Sequence, residues 1–192
     1  MTMPHTGLDE SDPVKRVFAP LVGLPAWDVQ KGHGSMLTFE FGNPSLQIRE
    51  PIDASAGASP RTRASLARRK VTPRGEWHLW INCCNWRCTA NGMEIAHSDS
   101  ADADIAAAAA ELDGQRLLAV TVEPHRGRST FAFDLGGLLE TSPYDDGEDE
   151  QWLLYRGSGD VFTYRADGHY SWGPSDKRPE DEVWLPLTAT QP

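Results

Sequence analysis

Short stretches in which apolar and polar residues alternate recur along most of the chain, and they constrain its fold more than any other feature. The clearest stretch, residues 75–88, reads GEWHLWINCCNWRC. Successive side chains of a β-strand point to opposite faces, so a period of two predicts a strand. We predict one long strand here, with Trp77, Leu79 and Ile81 in the core and a second face that is partly covered.

Similar stretches lie on both sides of this segment, and turn residues separate many of them. Asn91-Gly92, Gly136-Gly137, Gly157-Ser158 and Asp167-Gly168 are pairs typical of tight hairpin turns. The pattern therefore predicts a meander of antiparallel strands. We predict further strands within residues 26–31, 35–42, 45–50, 92–98, 115–124, 128–135, 137–143, 151–156, 160–166 and 169–172.

One segment, residues 100–114, has the pattern of a helix. Apolar residues occur there at the i, i+3, i+4, i+7 spacing of a buried helical stripe, Ser100 or Asp102 can cap its start, and Gly114 can end it. The predicted stripe consists of Ile105, Ala108, Ala109 and Leu112. The fold class is therefore α+β, a mostly antiparallel, curved sheet or two-sheet roll with one helix packed on it.

The chain length of 192 residues suits one folded domain. Residues 1–20 contain three prolines and little periodicity, which favours a flexible N-terminal arm. We place the α+β domain at residues 21–175 and a mobile basic insertion at about 51–74. Residues 176–192 are expected to form an acidic, proline-containing tail.

Charge and hydropathy exclude several classes of function. A formal net charge of -10 repels a phosphate backbone, so a nucleic-acid partner is not expected. The basic run at 61–74 lacks the aromatic residues that stack on bases. No run of eighteen apolar residues and no signal-peptide pattern occur, which favours a cytoplasmic protein without membrane contact.

The cysteine and histidine side chains around residue 80 are the candidates for a metal site. His78, Cys84 and Cys88 have the right chemistry for zinc, and Cys83 and His97 lie nearby. Their spacing differs from the paired Cys-x2-Cys units of zinc knuckles. We therefore favour a core role for these residues, expect no cofactor, and keep the three as weak metal candidates.

No catalytic constellation is recognisable in the sequence. His33 and Ser35 lie in the short GHGS segment, whose two glycines are typical of a hairpin reversal rather than a nucleophile elbow. Glu40, Glu76 and Glu94 lie on predicted strands, but nothing in one sequence brings them together. We assign no catalytic residue.

Four segments, in this order, resemble an uncharacterised bacterial family of small cytosolic proteins. They are WDVQKGHGSMLTFEFG, GEWHLWINCCNWR, LDGQRL and the stretch from FDLGGLLETSPYD to QWLLY. The resemblance runs from about Leu21 to Tyr170. It implies a shared fold and a loose similarity to the immunity proteins of bacterial toxin systems, and it implies no catalytic residue.

Two hypotheses of function follow. The first is a non-enzymatic binding protein, an immunity-like or accessory factor whose partner is another protein, with Trp80, Trp86, Trp172, Arg68 and Arg69 as its candidate binding surface. The alternative is a small metal- or thiol-dependent enzyme that uses the region of the three weak metal candidates.

Overall fold

The computed structural model describes residues 12–145 and 147–187, which form two antiparallel sheets, a separate two-stranded hairpin and three α-helices. The predicted α+β class, with two sheets, is confirmed. The helices are α1 (Pro13–Phe18), α2 (Pro60–Leu66) and α3 (Asp102–Leu112). The strands are β1 (Trp27–Lys31), β2 (Leu37–Phe41), β3 (Ser45–Arg49), β4 (Lys70–Arg74), β5 (Trp77–Ile81), β6 (Asn85–Ala90), β7 (Met93–His97), β8 (Leu117–Glu123), β9 (Arg128–Phe133), β10 (Gly137–Ser142), β11 (Glu150–Arg156), β12 (Asp160–Arg165), β13 (His169–Pro174) and β14 (Leu185–Pro186).

The two large sheets enclose the hydrophobic core. One has seven strands in the order β1-β2-β5-β11-β12-β13-β14, and the other has five in the order β7-β6-β10-β9-β8. Aromatic side chains join them: Phe39 stacks on Phe133, and Trp152 meets Phe131 edge to face at 5.9 Å between ring centroids. Alternate residues of both sheets therefore share one core. We call these two sheets with α1 and α3 the body.

The single long strand predicted within residues 75–88 is wrong, because the chain turns a corner at residues 82–84 and changes sheets. The Asn82 and Cys83 amides still donate to Gln151 and Glu150, whereas the Cys84 amide donates back to the Asn82 carbonyl. β5 belongs to the seven-stranded sheet and β6 to the five-stranded sheet. The corner shifts the inward-facing positions from odd to even numbers, so Ile81 and Cys84 are both fully buried.

The core assignment of β5 is otherwise confirmed. Leu79 and Ile81 are fully buried, while Trp77 is half-buried and packs against the core. The Arg156 guanidinium covers the Trp77 ring at 5.4 Å. Trp77 thus lies at the margin of the core rather than at its centre.

Helix α3 lies where the sequence predicts it, and Ile105, Ala108, Ala109 and Leu112 are all buried. The predicted cap is wrong, since Ala101 occupies the N-cap position and makes no side-chain cap bond. The candidate caps have other partners: the Ser100 hydroxyl accepts the His97 amide at 2.9 Å, and Asp102 pairs with Lys31 at 3.2 Å. The buried stripe, not a cap, therefore fixes the position of this helix.

The body starts earlier and ends later than residues 21 and 175. Asp12 caps α1 by accepting the Val14 amide at 2.9 Å, and Val14, Val17 and Phe18 are buried. At the other end, Leu185–Pro186 pairs with β13, and Leu187 is buried. The N-terminal and C-terminal segments that were predicted to be a flexible extension and a tail, residues 1–20 and 176–192, thus contribute residues to the core. Residues 1–11 and 188–192 of those two segments lie outside the described residues.

The predicted insertion at 51–74 is not one long loop, because β4 pairs with β3 along five residues and α2 lies between them. The Ser59 hydroxyl caps α2 by accepting the Thr62 amide at 3.1 Å. No residue of α2 is buried, and almost every residue from 45 to 70 is exposed. We call residues 45–74 the arm.

Candidate functional site

The three weak metal candidates do not meet in the structure. His78 lies on the outer face of β5, whereas Cys84 and Cys88 are fully buried in the core. Burial raises the pKa of the Cys84 thiol far above its usual range; burial, with a smaller effect of the Glu111 charge, raises that of Cys88 to about 12. Both thiols are therefore protonated at neutral pH and are poor nucleophiles and metal ligands.

Other combinations of ligands are equally dispersed. In residues 12–145 and 147–187, no three His, Cys, Asp or Glu side chains are arranged to hold a metal ion. Cys83 is half-buried, and the His97 ring accepts the Asp99 amide in a local turn at 3.2 Å. The geometry offers no support for the metal hypothesis.

The five residues of the predicted binding surface fall into four environments. Trp86 is buried, with its indole N–H donating to the Ser35 carbonyl at 2.7 Å, so it offers no surface. Trp172 is 41% exposed and lies under the Arg16 guanidinium. Arg68 and Arg69 are exposed on the arm, where Arg69 pairs with Glu50. Trp80 lines a cleft.

A buried carboxylate, Glu40, organises the outer face of the seven-stranded sheet beside that cleft. Its side chain is only 2% exposed. One oxygen accepts Arg74 Nη1 at 2.6 Å and His78 Nδ1 at 2.9 Å, and the other accepts the Gly75 amide at 2.9 Å. A Cβ at position 75 would collide with the Phe41 backbone, so this amide donor requires glycine. Glu40 contacts His78 because the two residues lie directly opposite each other on the paired strands β2 and β5.

These hydrogen bonds set the charge and the tautomer of the cluster. Burial alone would raise the pKa of Glu40, but the bonds from His78, the Gly75 amide and Arg74 outweigh it and hold the pKa below its ordinary value. Glu40 is therefore ionised at neutral pH. Because an ionised carboxylate only accepts, His78 must carry its proton on Nδ1 when neutral, which leaves Nε2 as an acceptor.

The cleft itself has an aromatic wall. His78, Trp80 and Tyr155 lie with ring centroids 6.0–6.5 Å apart, since Tyr155 is the cross-strand neighbour of His78. The cavity has a volume of about 610 Å³. The remaining lining comes from the base of the arm and the turn after β11: Ser45, Leu46, Gln47, Arg74, Gly75, Arg156, Gly157 and Gly159.

The charges around this cleft differ from those of the chain as a whole. Its lining contains Arg74, Arg156 and His78 but no Asp or Glu, although the chain carries a net charge of -10. Tyr155 has a raised pKa, mainly through burial and further through Glu150 and Glu182, so its hydroxyl is a neutral donor. The cleft thus presents two arginines and neutral polar groups, among them the Tyr155 hydroxyl and the His78 ring, on an aromatic wall.

The arm presents a second unusual surface. Leu46 is paired with Pro73 and Ile48 with Val71. Direct cross-strand neighbours share a face of a hairpin, as do residues two apart on one strand. These four side chains therefore form one apolar face. Leu46 is 69% exposed, Ile48 55% and Val71 51%.

The arm that carries this apolar face is basic. Residues 45–74 hold seven Arg or Lys residues and two acidic residues, a net charge of +5. Since the whole chain carries -10, the rest of it carries -15. The Arg74–Glu40 ion pair connects the base of the arm to the body. The chain therefore has a basic, apolar arm on an acidic body.

Only part of the arm's apolar face could be predicted from the sequence, and the Glu40 cluster could not. The alternation of Leu46 and Ile48 is visible, but an apparently unstructured insertion hid their pairing with β4. Nothing local indicates that Glu40 meets His78, which lies 38 residues away, because the register between β2 and β5 is a long-range property.

Comparison with protein-family models, with curated proteins and with solved structures found no match to this chain. The resemblance to a bacterial family of small cytosolic proteins stays a prediction. In the described part of the chain, no helix combines the length and apolar character needed to cross a membrane.

Proposed function

We propose that this chain is a non-enzymatic binding protein that binds an acidic partner protein through its arm. The observation that carries the proposal is the exposed apolar face formed by Leu46, Ile48, Val71 and Pro73. A folded hairpin has no structural need for such a face in water, and exposed apolar patches bordered by polar residues are typical of interaction sites. An immunity-like or accessory protein would act in this way, by binding a partner protein rather than by catalysis.

The apolar face supplies part of the free energy that a specific contact requires. Fully burying one aliphatic side chain contributes roughly 1.5–3 kcal/mol. Leu46, Ile48 and Val71 are 69%, 55% and 51% exposed, so covering what remains exposed contributes roughly 3–5 kcal/mol in total. Association itself costs an estimated 4–15 kcal/mol. The apolar face can offset part of this cost, and the basic residues of the arm add attraction for an acidic partner.

Charge determines the class of partner. An acidic protein is attracted to the +5 arm and repelled by the -15 remainder of the chain, which confines the contact to the arm. A nucleic acid is a weaker candidate, because residues 45–74 contain no Phe, Trp or Tyr that could stack on bases. The enzyme hypothesis has no comparable support, because His78 faces the cleft and both thiols lie in the core.

The test is affinity capture from the source cells with three forms of the protein. The arm variant is Ile48→Ser with Val71→Ser, and the matched control is Met93→Ser with Leu118→Ser, which changes two exposed apolar residues on the body that are 73% and 52% exposed. We expect the wild type and the control to retain the same acidic protein, and the arm variant to retain about tenfold less. Raising the salt concentration should weaken the capture.

Three results would contradict the proposal. Equal retention by all three forms would place the contact outside the arm. Nuclease-sensitive capture would make the partner a nucleic acid. Concentration-dependent self-association of the purified chain, abolished in the arm variant, would make the arm a contact between copies instead.

A further inference from the structure

We propose that the aromatic cleft is a binding site for a small organic anion with a planar ring, such as an aromatic carboxylate. The arm's apolar face does not line this cleft except through Leu46. The inference therefore concerns a second site, and it stands whether or not the arm binds a protein.

The charges of the cleft select for an anion. Glu40 does not belong to the lining, and its oxygens already accept three donors. Arg74 uses Nη1 for Glu40 and Nε for Gln47, which leaves Nη2 without a partner among the described residues. Arg156 also lines the cleft and has no carboxylate partner in that part of the chain. Its guanidinium lies over the Trp77 ring, and because its N–H groups point outward in the guanidinium plane, it can still donate to an anion there.

The wall of the cleft selects for a planar ring. His78, Trp80 and Tyr155 present three rings tilted 40–47° to one another, and an aromatic ligand can stack on such a surface. The Trp80 indole N–H is buried and has no hydrogen-bond partner among the described residues. Buried N–H groups normally have a partner, and an acceptor on a bound ligand would supply one.

The cavity has a suitable size. Sites for small molecules usually measure about 300–1,000 Å³, and this cleft measures about 610 Å³. A carboxylate at the arginine end would place the ring of the ligand against Trp80 and Tyr155.

Calorimetric titration of the purified chain with four probes of one shape tests the inference. The probes are 2-naphthoate, 2-naphthyl phosphate, the neutral 2-naphthamide and the cationic 2-naphthylmethylammonium. We expect at least one anion to bind about tenfold more tightly than the amide, and the cation to bind more weakly still. The anion that binds with the higher affinity, the carboxylate or the phosphate, identifies the preferred head group. Equal affinity of anion and amide, or binding of neither anion at millimolar concentration, overturns the proposal.

Two variants locate the bound probe without disturbing Glu40. Arg156→Gln should weaken binding of the anion about tenfold and leave the amide unchanged, whereas Trp80→Leu should weaken both. The matched control is Arg128→Gln, which removes an exposed arginine of the five-stranded sheet, distant from this cleft. Equal loss in Arg128→Gln and Arg156→Gln would mean attraction by general charge only, and would refute a built site.

Discussion

The body and the arm are built from the same kind of strand, yet they bury their apolar residues very differently. Leu79 and Ile81 of β5 are fully buried, while Leu46 and Ile48 of β3 are 69% and 55% exposed. β5 has β2 and β11 as hydrogen-bonded neighbours and a second sheet over its inner face, whereas β3 pairs only with β4. Alternation thus forms a strand, but only a covering layer makes its apolar face a core.

The difference extends to stability. A two-stranded hairpin is marginal in water by itself, so the arm depends on its connections to the body. The Arg74–Glu40 ion pair lies at its base, and Arg49 holds the other end of the hairpin by donating to carbonyls of Ser65 and Arg68. Changes in the body should therefore cost far more stability than changes in the arm.

The largest effect is expected from Trp152→Ala in the centre of the body. Trp152 is fully buried, contacts Phe18 and Tyr164, and donates its indole N–H to the Ser129 hydroxyl at 2.9 Å. The loss should lower the free energy of unfolding by about 3–5 kcal/mol, measured by urea denaturation. Trp172→Ala, at an exposed ring, is the control and should cost about 1 kcal/mol or less. Equal losses would refute the placement of the core.

Glu40→Gln, at the junction of body and arm, should lower the free energy of unfolding by less than Trp152→Ala does. The variant keeps the shape but removes the charge that receives Arg74, His78 and the Gly75 amide, at a cost of about 1–3 kcal/mol. Glu140→Gln, in the exposed pair with Arg87, is the control and should change the free energy of unfolding by less than about 1 kcal/mol.

The Glu40 effect should depend on pH with a defined sign. Its pKa is lower in the folded chain than in the unfolded chain, so the ionised form favours folding. The stabilisation is complete above the ordinary carboxyl pKa and is lost as pH falls through the lower folded value. The wild type should therefore have a higher free energy of unfolding than Glu40→Gln, by an amount that is constant near neutral pH. This difference should shrink towards zero as the pH falls below about 4. A difference that grows on acidification would contradict the ionised assignment.

Substitution of the cysteines should lower the free energy of unfolding by a smaller amount. Cys84→Ser should cost about 1 kcal/mol, because the buried hydroxyl can reuse the Gln151 carbonyl that Cys84 Sγ contacts at 3.5 Å. Cys83→Ala, at a half-buried position, should cost less. Neither variant should change the zinc content of the purified protein, measured by elemental analysis. Release of zinc from either would support the metal hypothesis against the geometry.

The smallest effect is expected from shortening the arm. Deleting residues 54–66 removes α2, which buries no residue, and the Ile52 amide already bonds the Leu66 carbonyl, so the cut ends lie close together. The melting temperature should change by no more than about 2–4 °C, the equivalent of roughly 1 kcal/mol. A larger drop would mean that the arm supports the body, and limited proteolysis would then show cleavage in the body strands.

Several elements could be predicted because their signals are local. The spacing of Ile105, Ala108, Ala109 and Leu112 placed helix α3, and the Asn91-Gly92 pair placed the hairpin between β6 and β7, where both residues have positive φ. Helix α1 was not predicted because its six residues, which begin with Pro13, are too few to show a helical periodicity. Its position depends on Phe18, which contacts Phe131 and Trp152 in the core.

The candidate site was less accessible to prediction than the fold. The sequence analysis names His78 as a metal candidate and Trp80 as a binding-surface residue, but their neighbours Glu40, Arg74 and Tyr155 lie on three other strands. Their meeting depends on registers between strands that are up to 77 residues apart in the chain. A shift of any of these strands by one residue would turn its side chain to the other face.

By itself, the sequence determined that this chain forms antiparallel strands and one amphipathic helix, because alternation, helical spacing and turn residues act over a few neighbouring residues. Only the tertiary structure decided that the strand after Ile81 changes sheets, that β3 and β4 remain uncovered, and that Glu40 meets His78 and Arg74. The physical reason is the range of the interactions. Burial and ion pairing join residues far apart in the chain, and their free energies exist only once the sheets have packed.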